Sequence, residues 1–312
     1  MPYVRSLTEI TLDDQSSVGE KATHLGELIR AGFDAPRGIC ITADAYREAI
    51  NARGIGEKIS ARIKATEIED PVELEDCAEE VRAWIESAPM PAALEQELRA
   101  ALEPLDAQSF AVRASRVVAD VPNPAASGLQ QAYLAVPASA LFDHIRKCWA
   151  TPWNSRAIYF RNRKKMDQAS VTMAVVIQPM LCADAAGVLF TANPLTGAAE
   201  EIHIDATWGL GAAVIAARWK PDHFVVEKQT LAIRERVIAS KSVMDVAAPE
   251  GGIQTVGVAA EKQDAASLTD AQIAALAALG ERVETHFGAP QDVEWCRIGN
   301  EIFPLQTRAL RR

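Results

Sequence analysis

Only five cysteines occur in the 312 residues, at positions 40, 77, 148, 182 and 296, and no two of them form a Cys-x-x-Cys pair. Their scatter excludes a zinc ribbon or a disulfide framework and predicts buried thiols in a reducing compartment. No apolar run approaches the roughly 18 residues of a membrane span, and the opening stretch MPYVRSLTEITLDDQ is too charged for a secretory signal. Basic excess is also missing. Lys+Arg number 32 against 42 Asp+Glu, a net charge of −10, which argues against a dedicated binder of nucleic acid or of an anionic membrane. Neither the P-loop pattern nor the GxGxxG dinucleotide fingerprint occurs, and there is no internal repeat or low-complexity tract. These absences predict a cytoplasmic protein with no nucleic-acid or membrane partner.

What is present is an ordinary globular composition, 49% hydrophobic and 24% charged, in a chain long enough for one large domain or two lobes with separate cores. Periodicity predicts a helix over 18–31 with Leu25 and Leu28 on its apolar side, then a turn, a short strand and a helix up to residue 50. Residues 51–104 read as helices broken at Pro71 and at APMP. SFAVRAS (109–115) reads as a strand entering a loop, 138–149 as a helix, and WNSRAIYFRNRKK as a basic helix. The nearly continuous apolar run 171–181 predicts a buried strand. GVLFTAN and EIHIDAT follow as strands, Gly209-Leu210-Gly211 opens a helix, and 221–241 reads as a pair of strands. A weak stretch over 246–266 precedes a helix over 269–287. Helices mixed with mainly antiparallel strands predict an α+β fold in two lobes, divided as 1–170 and 171–312.

The chain closes with QDVEWCRIGNEIFPLQTRALRR, two strands (292–298 and 302–308) around a Gly-Asn turn. A three-residue loop, Gly299-Asn300-Glu301, would set Glu294 opposite Gln306, Asp292 opposite Arg308 and Trp295 opposite Leu305. Val293, Trp295, Phe303 and Leu305 would then share the other face. Two carboxylates with an amide oxygen suit Mg²⁺, and a neighbouring arginine suits a phosphate. A solvated strand face with an ordinary Asp–Arg pair fits the same residues.

Three further stretches are compatible with a phosphate. VGEKATHLGEL puts Lys21 near a helix start, where amide donors and the helix dipole favour an anion. AVRAS carries Arg113 at the end of a buried strand, where phosphate or an internal carboxylate would serve as partner. WGLGAAV places a glycine turn before a helix, a common pattern with little specificity.

Taken in order, six segments resemble the N-terminal ATP-binding domain of the phosphoenolpyruvate synthase, pyruvate phosphate dikinase and rifampicin phosphotransferase family. VGEKATHLGELIRAGFDAPRGICITADAYREAI resembles its VGGK-xxx-LGEL opening and the strand and turn that follow. AVRASRVVADVPNPAASGLQQAYLAV resembles VRSSATAEDLP…AGQQ…YLNV, and CWATPWNSRAIYFR resembles CWASLF…RAI.YR. VVIQPMLCADAAGVLFTANPLTG, DATWGLGAAVIAARWKPDHFVV and QDVEW…LQTR continue the series. The resemblance implies an ATP-grasp fold, with nucleotide held between two antiparallel-sheet lobes. It implies that Glu294 and Gln306 hold Mg²⁺ with Asp292 in support, and that Lys21, Arg113 and Arg308 neutralise the phosphates of ATP. On the same resemblance, Gly128 would belong to the loop over the phosphates, and Gln178 and Met180 would edge the adenine.

The same comparison exposes departures. The second glycine of the opening motif is Glu20, the acid before the aspartate of ATAED is Ala119, and the glutamate after GLG, a ribose ligand in the family, is Ala212. The family relays phosphate through a histidine on a swivelling domain. None of the histidines here (24, 144, 203, 223 and 286) stands in that context, and each reads as structural or solvated. The resemblance therefore implies a stand-alone ATP-binding subunit that phosphorylates a histidine on a separate protein carrying the phosphohistidine and acceptor-substrate domains. The alternative is a catalytically degenerate nucleotide-binding or scaffold protein that regulates a partner.

Overall fold

A computed structural model describes residues 2–117 and 132–310. The chain forms two compact units, the first made of Met1–Gly26 and Arg37–Met180, the second of Glu27–Pro36 and Leu181–Arg312. The division falls ten residues beyond the expected 170/171. The strand that reads as buried belongs to the sheet of the first unit, and the segment Glu27–Pro36 joins the second.

The first unit contains β1 (Val4–Ser6), most of α1 (Gln15–Arg30), β2 (Ile39–Ile41), α2 (Ala43–Asn51), α3 (Ile55–Ala65), α4 (Pro71–Glu86), α5 (Ala92–Leu102), β3 (Ser109–Arg116), β4 (Ala132–Pro137), α6 (Leu141–Ala150), α7 (Ser155–Arg163) and β5 (Met173–Pro179). Its sheet has the order β1-β2-β5-β3-β4, antiparallel throughout. β5 is buried on both faces along almost its whole length, which accounts for its nearly continuous apolar run. One face packs Ile39, Ile41, Phe110, Val112, Val175 and Ile177 against the helices, with Trp149, Val81 and Leu94 in the same cluster. α4 starts where the sequence signals it: Asp70 accepts from the amides of Val72 and Glu73, and Pro71 takes the first helical position.

The second unit contains β6 (Ala185–Phe190), β7 (Glu201–Trp208), α8 (Ala212–Ile215), β8 (Asp222–Glu227), β9 (Ile233–Val237), β10 (Val243–Ala247), β11 (Ile253–Gly257), α9 (Ala260–Gln263), α10 (Asp270–Phe287), β12 (Gln291–Ile298) and β13 (Glu301–Ala309). Its six-stranded sheet runs β13-β12-β6-β7-β8-β9, again antiparallel. α10, opened by a Thr269–Gln272 capping box, buries Ile273, Leu276, Ala277 and Val283 and packs across β12, β6 and β7. The weak stretch 246–266 holds the end of β10 and all of β11, which pair as a small hairpin whose exposed Ile253, Gln254 and Thr255 give it little apolar signal.

The expected α+β class with mainly antiparallel sheets is what the structure has. Four of the cysteines are buried, and Cys182 is exposed, contrary to the expectation for all five. No helix among the described residues is long and apolar enough to cross a membrane.

Candidate functional site

In the first unit the sheet face away from the helical core carries the expected residues. Arg113 pairs with Val176 and Ala132, and Ala111 pairs with Gln178, so Arg113, Gln178 and Ser115 share that face. Arg113 lies inside β3, since the strand continues to Arg116 beyond the expected end. Arg113 and Lys21 are each only 7% exposed, and a cation so far removed from water needs compensating charge or hydrogen bonds.

The segment that carries Lys21 meets β3 at a break in α1. Gly19 adopts φ 78° and ψ 167°, a conformation essentially confined to glycine, so a new helical segment begins after it. A Cβ on Gly19 would lie 2.5 Å from the Arg116 carbonyl oxygen and 2.7 Å from Ser115 Oγ. Ser115 closes the junction: its hydroxyl donates to the Val18 carbonyl at 2.7 Å and accepts from the Ala22 amide at 3.2 Å. It thus caps the new segment from the neighbouring strand. Met180 follows β5; its amide donates to the Ser109 carbonyl at 2.9 Å, and its Sδ accepts from the Ala135 amide at 3.4 Å.

In the second unit the β12–β13 hairpin brings the paired residues together by a different route from the one expected. Asp292 faces Arg308 and Glu294 faces Gln306, but Trp295 faces Pro304, Cys296 faces Phe303 and Ile298 faces Glu301. The turn is the two-residue Gly299-Asn300, with Gly299 at φ 58° as a primed hairpin turn requires at its first position. The expected three-residue loop and the Trp295–Leu305 pair are therefore both wrong. Leu305 is the extra residue of a bulge that restores the polar register. The cause is Pro304, which has no amide to give the ladder and is tolerated on an edge strand or at a bulge; here it has both. Phe303 consequently lies on the face of Glu294, apart from Val293 and Trp295, which corrects its expected place beside them.

This face carries real electrostatic tension. Arg308 Nε and one terminal nitrogen lie 2.8 and 2.7 Å from Asp292 Oδ2. Burial pushes the Asp292 carboxyl above its ordinary range, the Arg308 guanidinium pulls it back, and Glu294 adds to the rise. Gln306 is buried and Glu294 half-buried. No group of three or more His, Cys, Asp or Glu among the described residues is arranged to hold a metal ion. Asp292, Glu294 and Gln306 form a set of another kind, two carboxylates and an amide, and its hard oxygen donors suit a Mg²⁺ that keeps much of its water. Gly128 and Ala119 lie outside the described residues. A cavity of about 770 Å³ in the first unit, lined by Tyr46, Arg47, Trp153 and Gln168 among others, includes none of the expected residues.

Comparison with known proteins decides the family. Residues 15–312 match the model of the pyruvate phosphate dikinase AMP/ATP-binding domain. The chain belongs to this family. It is 33% identical to phosphoenolpyruvate synthase of Pyrococcus furiosus, over 99% of this chain and 44% of that protein. It is 32% identical to rifampicin phosphotransferase of Bacillus cereus, over 99% of this chain and 36% of that protein. The chain thus spans less than half the length of these relatives. Within the dikinase family it corresponds to the ATP-binding domain, a part of enzymes that carry out ATP-dependent phosphotransfer.

Sequence reading missed two features that position these residues. Ser115 stands in AVRAS without any sign of the helix it caps, because its partners are about a hundred residues earlier. Pro304 is a visible signal, and a proline inside a strand pattern marks an edge or a bulge.

Proposed function

We propose that the chain binds Mg-ATP and serves as the ATP-binding subunit of a split dikinase-type phosphotransferase, phosphorylating a histidine on a separate partner protein. The observation that carries this reading is the register of β12 and β13, which puts Asp292, Glu294, Gln306 and Arg308 on one sheet face. Glu294 and Gln306 would hold Mg²⁺, which when bound supplies charge neutralisation at the phosphates. Asp292 orients Arg308, whose fork of donors meets phosphate oxygens. Lys21 and Arg113 supply further positive charge, and Gln178 and Met180 edge the adenine. Phosphoryl transfer demands mainly positioning and electrostatic stabilisation, and these residue types provide both. The partner carries the phosphohistidine and acceptor-substrate domains that the longer relatives have room for.

Calorimetric titration with a non-hydrolysable ATP analogue, with and without Mg²⁺, tests the reading. Metal-dependent binding that Glu294→Ala removes is the expected result; unchanged Mg-nucleotide affinity in that variant would sink the site assignment. A second reading, a nucleotide-binding protein that regulates a partner without catalysis, is favoured by Ala212 and Glu20, which replace a ribose ligand and a glycine beside Lys21. Transfer of the terminal label from ATP to a histidine-bearing partner distinguishes the two.

A further inference from the structure

Four residues that the proposed function does not use lie together on the sheet of the second unit. Glu201, His203 and Asp205 alternate along β7 and so share one face, and Asp205 pairs with His223 on β8. Each histidine turns one nitrogen to a carboxylate. His203 Nε2 lies 3.2 Å from Glu201 Oε2, and His223 Nδ1 lies 2.7 Å from Asp205 Oδ1. Their remaining nitrogens face one another, His203 Nδ1 being 3.4 Å from His223 Nε2. Asn193 Nδ2 holds Glu201 Oε2 in place at 3.1 Å.

A ring that gives its one N–H to a carboxylate keeps a lone pair on its other nitrogen, and here those other nitrogens converge on the space between the rings. A cation placed there would meet both lone pairs. Histidines that ligate metals are oriented by carboxylates in this way. The distance agrees, because two nitrogens 3.4 Å apart, each about 2.0–2.1 Å from a metal, subtend about 110°, close to tetrahedral.

We propose that His203 and His223 form a two-imidazole site for a divalent transition metal of the zinc or nickel class, with Glu201 and Asp205 as positioning residues. Imidazole nitrogen selects such ions over Mg²⁺, so this site is chemically separate from the oxygen donors of β12 and β13. Solvent reaches it through His223, whose side chain is 34% exposed, while that of His203 is 11% exposed. Two protein ligands leave further positions to water, so the site holds its ion less tightly than a closed four-ligand site.

The test titrates the whole chain, stripped with a chelator, with NiCl₂ and with ZnCl₂ alone by calorimetry. One Ni²⁺ per chain is expected, weakened at least tenfold by His223→Ala and by His223→Gln, less by Asp205→Asn, and not by Glu294→Ala. Binding should also weaken on acidification, because metal and protons compete for the same nitrogens. Circular dichroism confirms that the variants are folded, and the glutamine variant keeps the test open if the alanine one is not. Absence of stoichiometric Ni²⁺ binding overturns the proposal. So does binding that survives both His223 variants, which would place the ion elsewhere, for instance at exposed Cys182.

Discussion

Asp292 and Arg308 face each other across the β12–β13 hairpin and form a two-contact ion pair through a single oxygen, Asp292 Oδ2. The carboxylate is buried, whereas the arginine side chain is 47% exposed. The pair therefore leaves a cation pointing outward from a polar sheet face, held at its base by a carboxylate.

Removing that cation should make stability depend more steeply on pH. A carboxyl whose folded pKa stands above its unfolded value is destabilising once ionised; stability is greatest below the unfolded pKa and falls as pH rises through the folded one. Asp292 is raised by burial and restrained by Arg308. Arg308→Met should therefore lose about 1 kcal/mol at neutral pH, a figure held down by solvent screening of the exposed arginine. The deficit should shrink as pH falls toward about 4, near the unfolded carboxyl value. Urea melts across that interval measure it, and a pH-independent deficit would mean that Arg308 acts only through packing.

The Gly19–Ser115 junction should be intolerant of change. Gly19→Ala meets both an unfavourable backbone conformation and the carbonyl oxygen of Arg116, and about 2–3 kcal/mol of stability should go. Ser115→Ala strips the partner from the Val18 carbonyl and the Ala22 amide, for about 1–2 kcal/mol. Denaturant melts give both values. Under the proposed function each variant should also weaken nucleotide binding by displacing Lys21.

Restoring the acid after GLG tests whether Ala212 is a lost ribose contact. Ala212→Glu should strengthen ATP-analogue binding on the order of tenfold, since a charged hydrogen bond contributes about 1–3 kcal/mol. Inorganic tripolyphosphate, which has no ribose, should bind both proteins alike. Equal gains for the two ligands, or no gain for either, would contradict the ribose assignment.

Asp14 should matter near neutral pH and cease to matter in acid. Arg5 bonds to it at 2.6 Å and the Thr11 amide at 2.8 Å, and the Arg5 hydrogen bond is the chief cause that brings its pKa down to about 2. A depressed carboxyl adds stability that is present above its unfolded pKa and lost as pH falls through the folded one. Asp14→Asn should thus cost about 1 kcal/mol near pH 6, after discounting for solvent screening. The difference from the parent should narrow below about pH 4. Chemical denaturation at several pH values provides the check.

The sequence by itself determined the fold class, most element positions and the family, because those rest on local periodicity and on ordered motifs. It also pointed to Asp292 opposite Arg308 and Glu294 opposite Gln306, because keeping the polar residues of two alternating strands on one face favours that pairing, although the loop assumed for it was the wrong one. Only the tertiary structure decided how that register is reached: by a two-residue turn, with Leu305 bulged beside Pro304. Pairing is a property of two strands at once, so a proline that withholds one amide shifts its partner's register rather than its own periodicity. The same limit hid the Ser115 cap and the facing of His203 toward His223. Both join residues far apart in the chain, and no local pattern registers a hydrogen bond whose partner arrives with another strand or helix.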